Sequence, residues 1–175
     1  MFSLNSLFQK VNDVIAKLEV FVISVFMALL VLIMVVQVAL RYFFNSPLFW
    51  AEEISLQLLV LITFFGVSFL TYKKNLLLVD LLQHYLSVSM KRLVNILLVV
   101  VNLLIFVFLA YLFINWSTDP MVQADVSGTT GLPRWYNYAV ATAAVCFMAY
   151  HQFCHLLQIL FNKVEEEQTA AGGLL

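Results

Sequence analysis

Charge is the first thing this chain lacks. Only 11% of its 175 residues are Asp, Glu, Lys or Arg, against 63% hydrophobic ones, and its mean hydropathy is +0.98. A soluble domain of that make-up has too few polar groups to cover its surface. The few basic residues are dispersed, which leaves no electrostatic footprint for a nucleic acid. Cysteine is scarce as well. Cys146 and Cys154 would stand about 12 Å apart along one helix axis, beyond the reach of a disulfide, so they report no redox compartment. No Gly-rich phosphate loop appears, no nucleophile with its base and no paired carboxylates in a cleft. The chain is not expected to be an enzyme or to hold a cofactor.

What fills the chain is four long apolar runs, roughly Val20–Leu40, Ile54–Tyr72, Leu93–Asn115 and Trp135–Phe161. About 20 helical residues cross a hydrocarbon core of about 30 Å, and each run is long enough. The expectation is an all-α membrane protein with four transmembrane helices in one domain, residues 1–165, followed by a flexible tail, 166–175. The first run is not read as a cleaved signal peptide. A polar, helix-patterned stretch precedes it, it is longer than a signal core, and Gln37-Val38-Ala39-Leu40-Arg41 offers no cleavage site.

The basic residues orient the spans. Lys10, Lys17, Lys73, Lys74, Lys91, Arg92 and Lys163 fall at one set of ends; only Arg41 and Arg134 fall at the other. That asymmetry predicts both termini and the second connection in the cytoplasm. Trp50, Trp116 and Trp135 then share the opposite interface, a depth that suits indole rings.

Two segments have the two-faced pattern of helices at a headgroup boundary. Before the first span, Leu4, Leu7, Phe8, Val11, Val14, Ile15 and Leu18 repeat at helical spacing, opposite Ser6, Gln9, Lys10, Asp13 and Lys17. Between the second and third spans, Asp80, Gln83, His84, Ser87 and Lys91 oppose Val79, Leu82, Tyr85, Leu86 and Met90. These amphipathic helices are expected to lie on the membrane, to pack on a partner's cytoplasmic edge, or both. Asn45-Ser46-Pro47 reads as a helix start with Ser46 as N-cap and Pro47 in the first turn. Glu52 and Glu53 follow where the helix dipole favours acids. Residues 117–134, with Pro120, Gly128, Gly131 and Pro133, form an irregular extracytoplasmic loop.

Polar residues within the spans are few. Arg41, Glu52 and Glu53 flank the first extracytoplasmic turn, as a partner contact or as a local ion pair. His151, Cys154 and His155 cluster near the cytoplasmic end of the fourth span. Histidines at i and i+4 can share a metal, but no further ligand pattern supports one, and no second histidine at matching depth supports haem. A polar cluster facing a neighbouring helix is the better reading. Asn95, Asn102, Gln37 and Gln57 are candidates for bonds between helices, and Ala139 with Ala143 for close helix contact. Ion relays need ionisable groups inside the membrane; the first three spans have none centrally.

One family fits this pattern. Arg41-Tyr42-Phe43-Phe44-Asn45-Ser46-Pro47-Leu48-Phe49-Trp50-Ala51-Glu52-Glu53 strongly resembles the R-Y-x-F-x-x-P-x-x-W-x-E-E signature of the small (Q-type, four-span) membrane subunit of tripartite ATP-independent periplasmic (TRAP) transporters. Phe65-Gly66, Val79-Asp80-Leu81-Leu82 and Gly131-Leu132-Pro133-Arg134-Trp135 match in order along nearly the whole chain. Asn75-Leu76 departs from the Gly-His pair of many relatives. The resemblance implies a bacterial inner-membrane complex importing organic acids, such as C4-dicarboxylates or sialic acid, on a sodium gradient. A periplasmic binding protein would deliver the substrate, and a large multi-span subunit would carry it. The small subunit would be part of the fixed scaffold, in contact with membrane lipids and binding neither substrate nor metal. Its partner-facing or structural residues would be Arg41, Asn45, Pro47, Trp50, Glu52, Glu53, Asp80, Gly131, Pro133 and Trp135. A rival is the membrane anchor of a respiratory complex, which would want haem ligands or a quinone pocket. Another is a self-sufficient small exporter, which typically needs an intramembrane acid.

The topology is open to labelling. Single cysteines introduced at Ser3 and Gln168 should resist a membrane-impermeant reagent applied from outside, while one at Ser127 should react. The reverse pattern would invert the whole layout.

Overall fold

A computed structural model of the chain describes residues 2–73 and 88–172. Among these residues five helices occur: α1 (Phe2–Phe43), α2 (Phe49–Tyr72), α3 (Val88–Thr118), α4 (Pro120–Gln123) and α5 (Trp135–Gly172). Four of them hold stretches long and apolar enough to cross a membrane, Leu7–Phe43, Phe49–Tyr72, Leu93–Thr118 and Trp135–Leu160. The reason is general. Hydrocarbon offers no water to bond a free N–H or C=O, so an apolar run of this length satisfies its backbone within its own helix.

The ends of the helices differ from the sequence reading. The amphipathic stretch before the first span is not a separate helix; α1 runs unbroken from Phe2 to Phe43, about 63 Å at 1.5 Å per residue. Its apolar stripe also faces the other way. Leu7, Val11, Val14 and Leu18 are exposed, while Asn12, Ala16 and Glu19, at i, i+4 and i+7, are buried. The protein packs a narrow, partly polar face of this segment and turns the greasy one outward. At the far end, α5 continues to Gly172, through most of the segment expected as a tail. The amphipathic segment of the second connection, with Asp80, lies almost entirely outside the described residues.

The first turn is built differently as well. Ser46 is not the N-cap of α2. The helix starts at Phe49 behind Leu48, whose side chain makes no capping bond. The Leu40 carbonyl instead accepts from the amides of both Phe44 and Ser46, and Asn45 takes the left-handed conformation at φ 50°. Asn tolerates that region better than most residues, so the chain reverses there and Pro47 extends the link to α2.

The spans do not close into a symmetric bundle. They line up as α1, α2, α5, α3, with α5 packed between α2 and α3 and α1 reaching α5 more sparingly. The α1–α2 hairpin is antiparallel: Gln37 meets Glu52, Phe26 meets Phe65, Glu19 meets Ser68 and Asp13 meets Tyr72. Between α3 and α5, Gln152 donates to the Val99 carbonyl at 3.1 Å and Thr142 to the Phe113 carbonyl at 3.3 Å. Asn95 and Asn102 make no such bond, whereas Gln57 accepts from the Tyr136 hydroxyl at 3.0 Å.

Close approach on α5 comes from a different pair of small residues than expected. Ala143 is exposed; Ala141 and Ala144 are buried at 4% and 0% exposure, beside Val145 and Met148. One residue's displacement turns a helix position by about 100°, from seam to outer surface. Ala144→Leu should therefore overpack the seam by about 1–3 kcal/mol and lower the melting temperature in detergent. Ala143→Leu should leave it unchanged.

Candidate functional site

Polar residues gather at the two ends of the row of helices. At the end that holds Trp50, Trp116 and Trp135, the 117–134 loop is a folded unit. Asp119 caps the short α4, accepting from the Met121 amide at 2.8 Å. Beyond it the chain doubles back: Val126 and Pro133 form a β-bridge, and the Ser127 amide donates to the Leu132 carbonyl at 2.8 Å. Gly131 sits at φ 69°, where a side chain would strain the backbone. Ser127 is buried beneath this turn.

Glu53 ties the loop to the helices. Its carboxylate accepts from the Thr129 hydroxyl and lies 3.4 Å from the Arg134 guanidinium, which also reaches Asp125 at 3.4 Å. Glu52 takes another direction and accepts from Gln37 Nε2 at 3.1 Å, pinning the top of the α1–α2 hairpin. The two neighbouring acids thus serve two different joints. Beside them a largely apolar cleft of about 620 Å³ opens between α2, α3 and α5, with Glu53, Gln57, Arg134 and Asn137 among its lining residues.

Arg41 corrects the sequence reading. It is exposed, and among the described residues no ion pair reaches it; the cation that meets Glu53 is Arg134, 81 positions along the chain. Around Arg41 the turn presents Tyr42, Phe43, Phe44 and Phe49, each more than 70% exposed. Asn45 and Pro47 shape this turn, while Trp50 and Trp135 stand partly exposed at the starts of α2 and α5.

The opposite end holds a cluster that sequence reasoning did not assemble. His151 is buried, its Nδ1 2.7 Å from Asn12 Oδ1 and its Nε2 3.2 Å from Glu19 Oε2. The other Glu19 oxygen accepts from the Ser68 hydroxyl at 2.5 Å. The rings of Tyr72 and Tyr150 stand edgewise to the imidazole at 5.5 and 6.4 Å between centroids. A polar cluster facing neighbouring helices was expected at His151. Glu19 was passed over because it stands just before the first apolar run. Its place on one helical face with Asn12 was the available signal. Among the described residues no three His, Cys, Asp or Glu side chains are grouped to share a metal ion.

Four membrane-length helices in a row, with joints at both ends and broad apolar flanks, define a class: a helical membrane protein built to stand beside something else. The comparison with known families makes this particular. The model of the family described as tripartite ATP-independent periplasmic transporters, DctQ component, matches residues 30–162, and the chain belongs to that family. It is also 28% identical over 120 residues to the sialic acid TRAP transporter permease protein SiaT of Haemophilus influenzae (strain 86-028NP). That match covers 66% of this chain and 19% of the relative, so the chain spans about a fifth of the length of the curated relative it matches.

The two arginines of the rim should part company on mutation. Arg134→Gln removes the cation between Glu53 and Asp125 and should lower the melting temperature of the isolated chain, by less than Ala144→Leu does because the pair is partly solvated. Arg41→Ala should leave the melting temperature where it is.

Proposed function

We propose that this chain is the fixed membrane partner of a large multi-span transport subunit. The assembly imports a carboxylate, with sialic acid or a C4-dicarboxylate as the leading classes, on a sodium gradient across the bacterial inner membrane. A periplasmic binding protein supplies the substrate. Both termini face the cytoplasm, in keeping with the distribution of lysine and arginine. The name of the sialic acid relative supports that substrate class, and substrate choice rests with the other two components.

The observation that carries this reading is the division of labour among the polar residues. Those of the rim and of the His151 cluster are consumed in joining one helix to another, while the outer faces of α1 and α3 present long apolar stripes. Helix association in lipid depends on packing and on interhelical hydrogen bonds. A row of spans stiffened this way offers a firm wall, and Arg41 with its exposed aromatic turn is the part of the rim left for an outside contact.

The test is paired. Arg41→Ala is expected to weaken co-purification with the large subunit, or docking of the binding protein, by severalfold with the melting temperature of the isolated chain unchanged. Intact assembly and docking would remove the turn from the contact surface. A drop in melting temperature would make Arg41 a structural residue of this hairpin.

A further inference from the structure

Scaffold duty leaves Glu19 and His151 unexplained, since both side chains are entirely shielded from solvent. A buried carboxylate is costly unless a neighbour carries the opposite charge. The hydrogen-bond partners show where the protons stand. Ser68 Oγ donates to Glu19 Oε1, which leaves Oε2 facing His151 Nε2 at 3.2 Å. An ionised carboxylate only accepts, so Nε2 carries a hydrogen; the Asn12 carbonyl oxygen at 2.7 Å only accepts, so Nδ1 carries one too. A ring with hydrogen on both nitrogens is an imidazolium, and it neutralises Glu19. Turning the Asn12 amide round would suit a neutral ring, but it would leave the Glu19 charge buried without a counter-ion.

Every helix packed here adds its own groups. From α1 comes Asp13, which accepts from the Tyr72 hydroxyl at 2.9 Å. From α2 come Tyr72, Ser68 and Lys73, whose ammonium stands 5.9 Å from the Tyr72 ring. From α5 come Tyr150, Cys154 and His155. The contribution of α3 is the Val99 carbonyl, held by Gln152 next to His151. A cavity of about 220 Å³, lined by Asn12, Asp13, Tyr72, His151, His155 and Gln158, joins the exposed Asp13 to the buried imidazole. A polar space of that size has room for several waters.

We propose that Glu19 and His151 form a proton-binding site, filled through this cavity, and that its one bound proton fastens the N-terminal half of α1 to α2 and α5. The step balances simply. Hydronium in the cavity gives a proton to Nε2 and becomes water; one N–H bond forms, one O–H bond breaks, and no electron is transferred. Entry from the cytoplasm rests on the proposed topology, but binding does not. Free histidine in water gives up this proton near pH 6.5. Above that pH, closing α1 onto the cluster takes up one proton, so the equilibrium weakens up to tenfold per pH unit as pH rises.

The full chain, purified in detergent and labelled with ¹⁵N-histidine, tests this by NMR at pH 7.5. One of its three histidines should carry hydrogen on both nitrogens. That signal should vanish in His151→Gln and become a neutral ring in Glu19→Gln, which keeps the acceptor for Ser68 and removes the charge. Between pH 7 and 9 the folding equilibrium of the natural chain should fall with pH, by up to tenfold per unit, while Glu19→Gln loses that component. Three neutral histidines at pH 7.5, or the same pH slope in both proteins, would overturn the proposal. If Glu19→Gln does not fold, the spectrum of the natural chain decides alone. Neither result depends on which way the chain faces.

Discussion

Among helices in lipid, apolar side chains gain little by choosing each other over the surrounding hydrocarbon, so polar side chains that enter the protein largely set the alignment. The α1–α2 hairpin shows this. Gln37 with Glu52 at one end and Glu19 with Ser68 toward the other fix one antiparallel register. A slide of one residue would turn both pairs away from each other and strand a buried acid. The same holds along α5, where Gln57 with Tyr136 and Tyr72 against His151 set its parallel alignment with α2. Val99 with Gln152 sets its antiparallel alignment with α3.

The two ends that hold this alignment differ in chemistry. The Trp-bearing rim is a surface assembly, in which Glu53, Arg134 and Asp125 are partly solvated and a doubled-back loop is held down by short-range turns. Its strength lies in the number of small contacts. The opposite end concentrates its polarity in one shielded group of four side chains, Asn12, Glu19, Ser68 and His151. There each member depends on the others, because removing one leaves a buried partner unsatisfied. The rim has an outward-looking turn to offer another molecule, while the buried cluster answers only to what reaches it through its cavity.

Several of these features are legible in the sequence and several are not. The four spans follow from run length alone, and the single-signed interface follows from three tryptophans at matching depth. The segment from Arg41 to Glu53 marks the rim, yet it pairs the wrong arginine with Glu53, since closeness along a chain says nothing about a loop returning from residue 134. The His151 cluster is half legible. Its histidine stands out within an apolar helix, but Glu19, beside an ordinary amphipathic stretch, acquires its meaning only once α1 is seen to continue without a break. The Ala139–Ala143 spacing has the right kind of residue and the wrong face, because α5 is rich enough in alanine to offer more than one small stripe.

By itself, then, the sequence determined the medium, the number of crossings and the family, because each depends on composition over a length set by bilayer thickness or on a contiguous motif. Which helix stands beside which was decided only in three dimensions. So were the partners of Glu53 and Glu19, and the face that α1 turns inward. Those outcomes depend on pairing polar groups far apart in the chain, and a one-residue turn of a helix, about 100°, moves a side chain from a joint to the lipid.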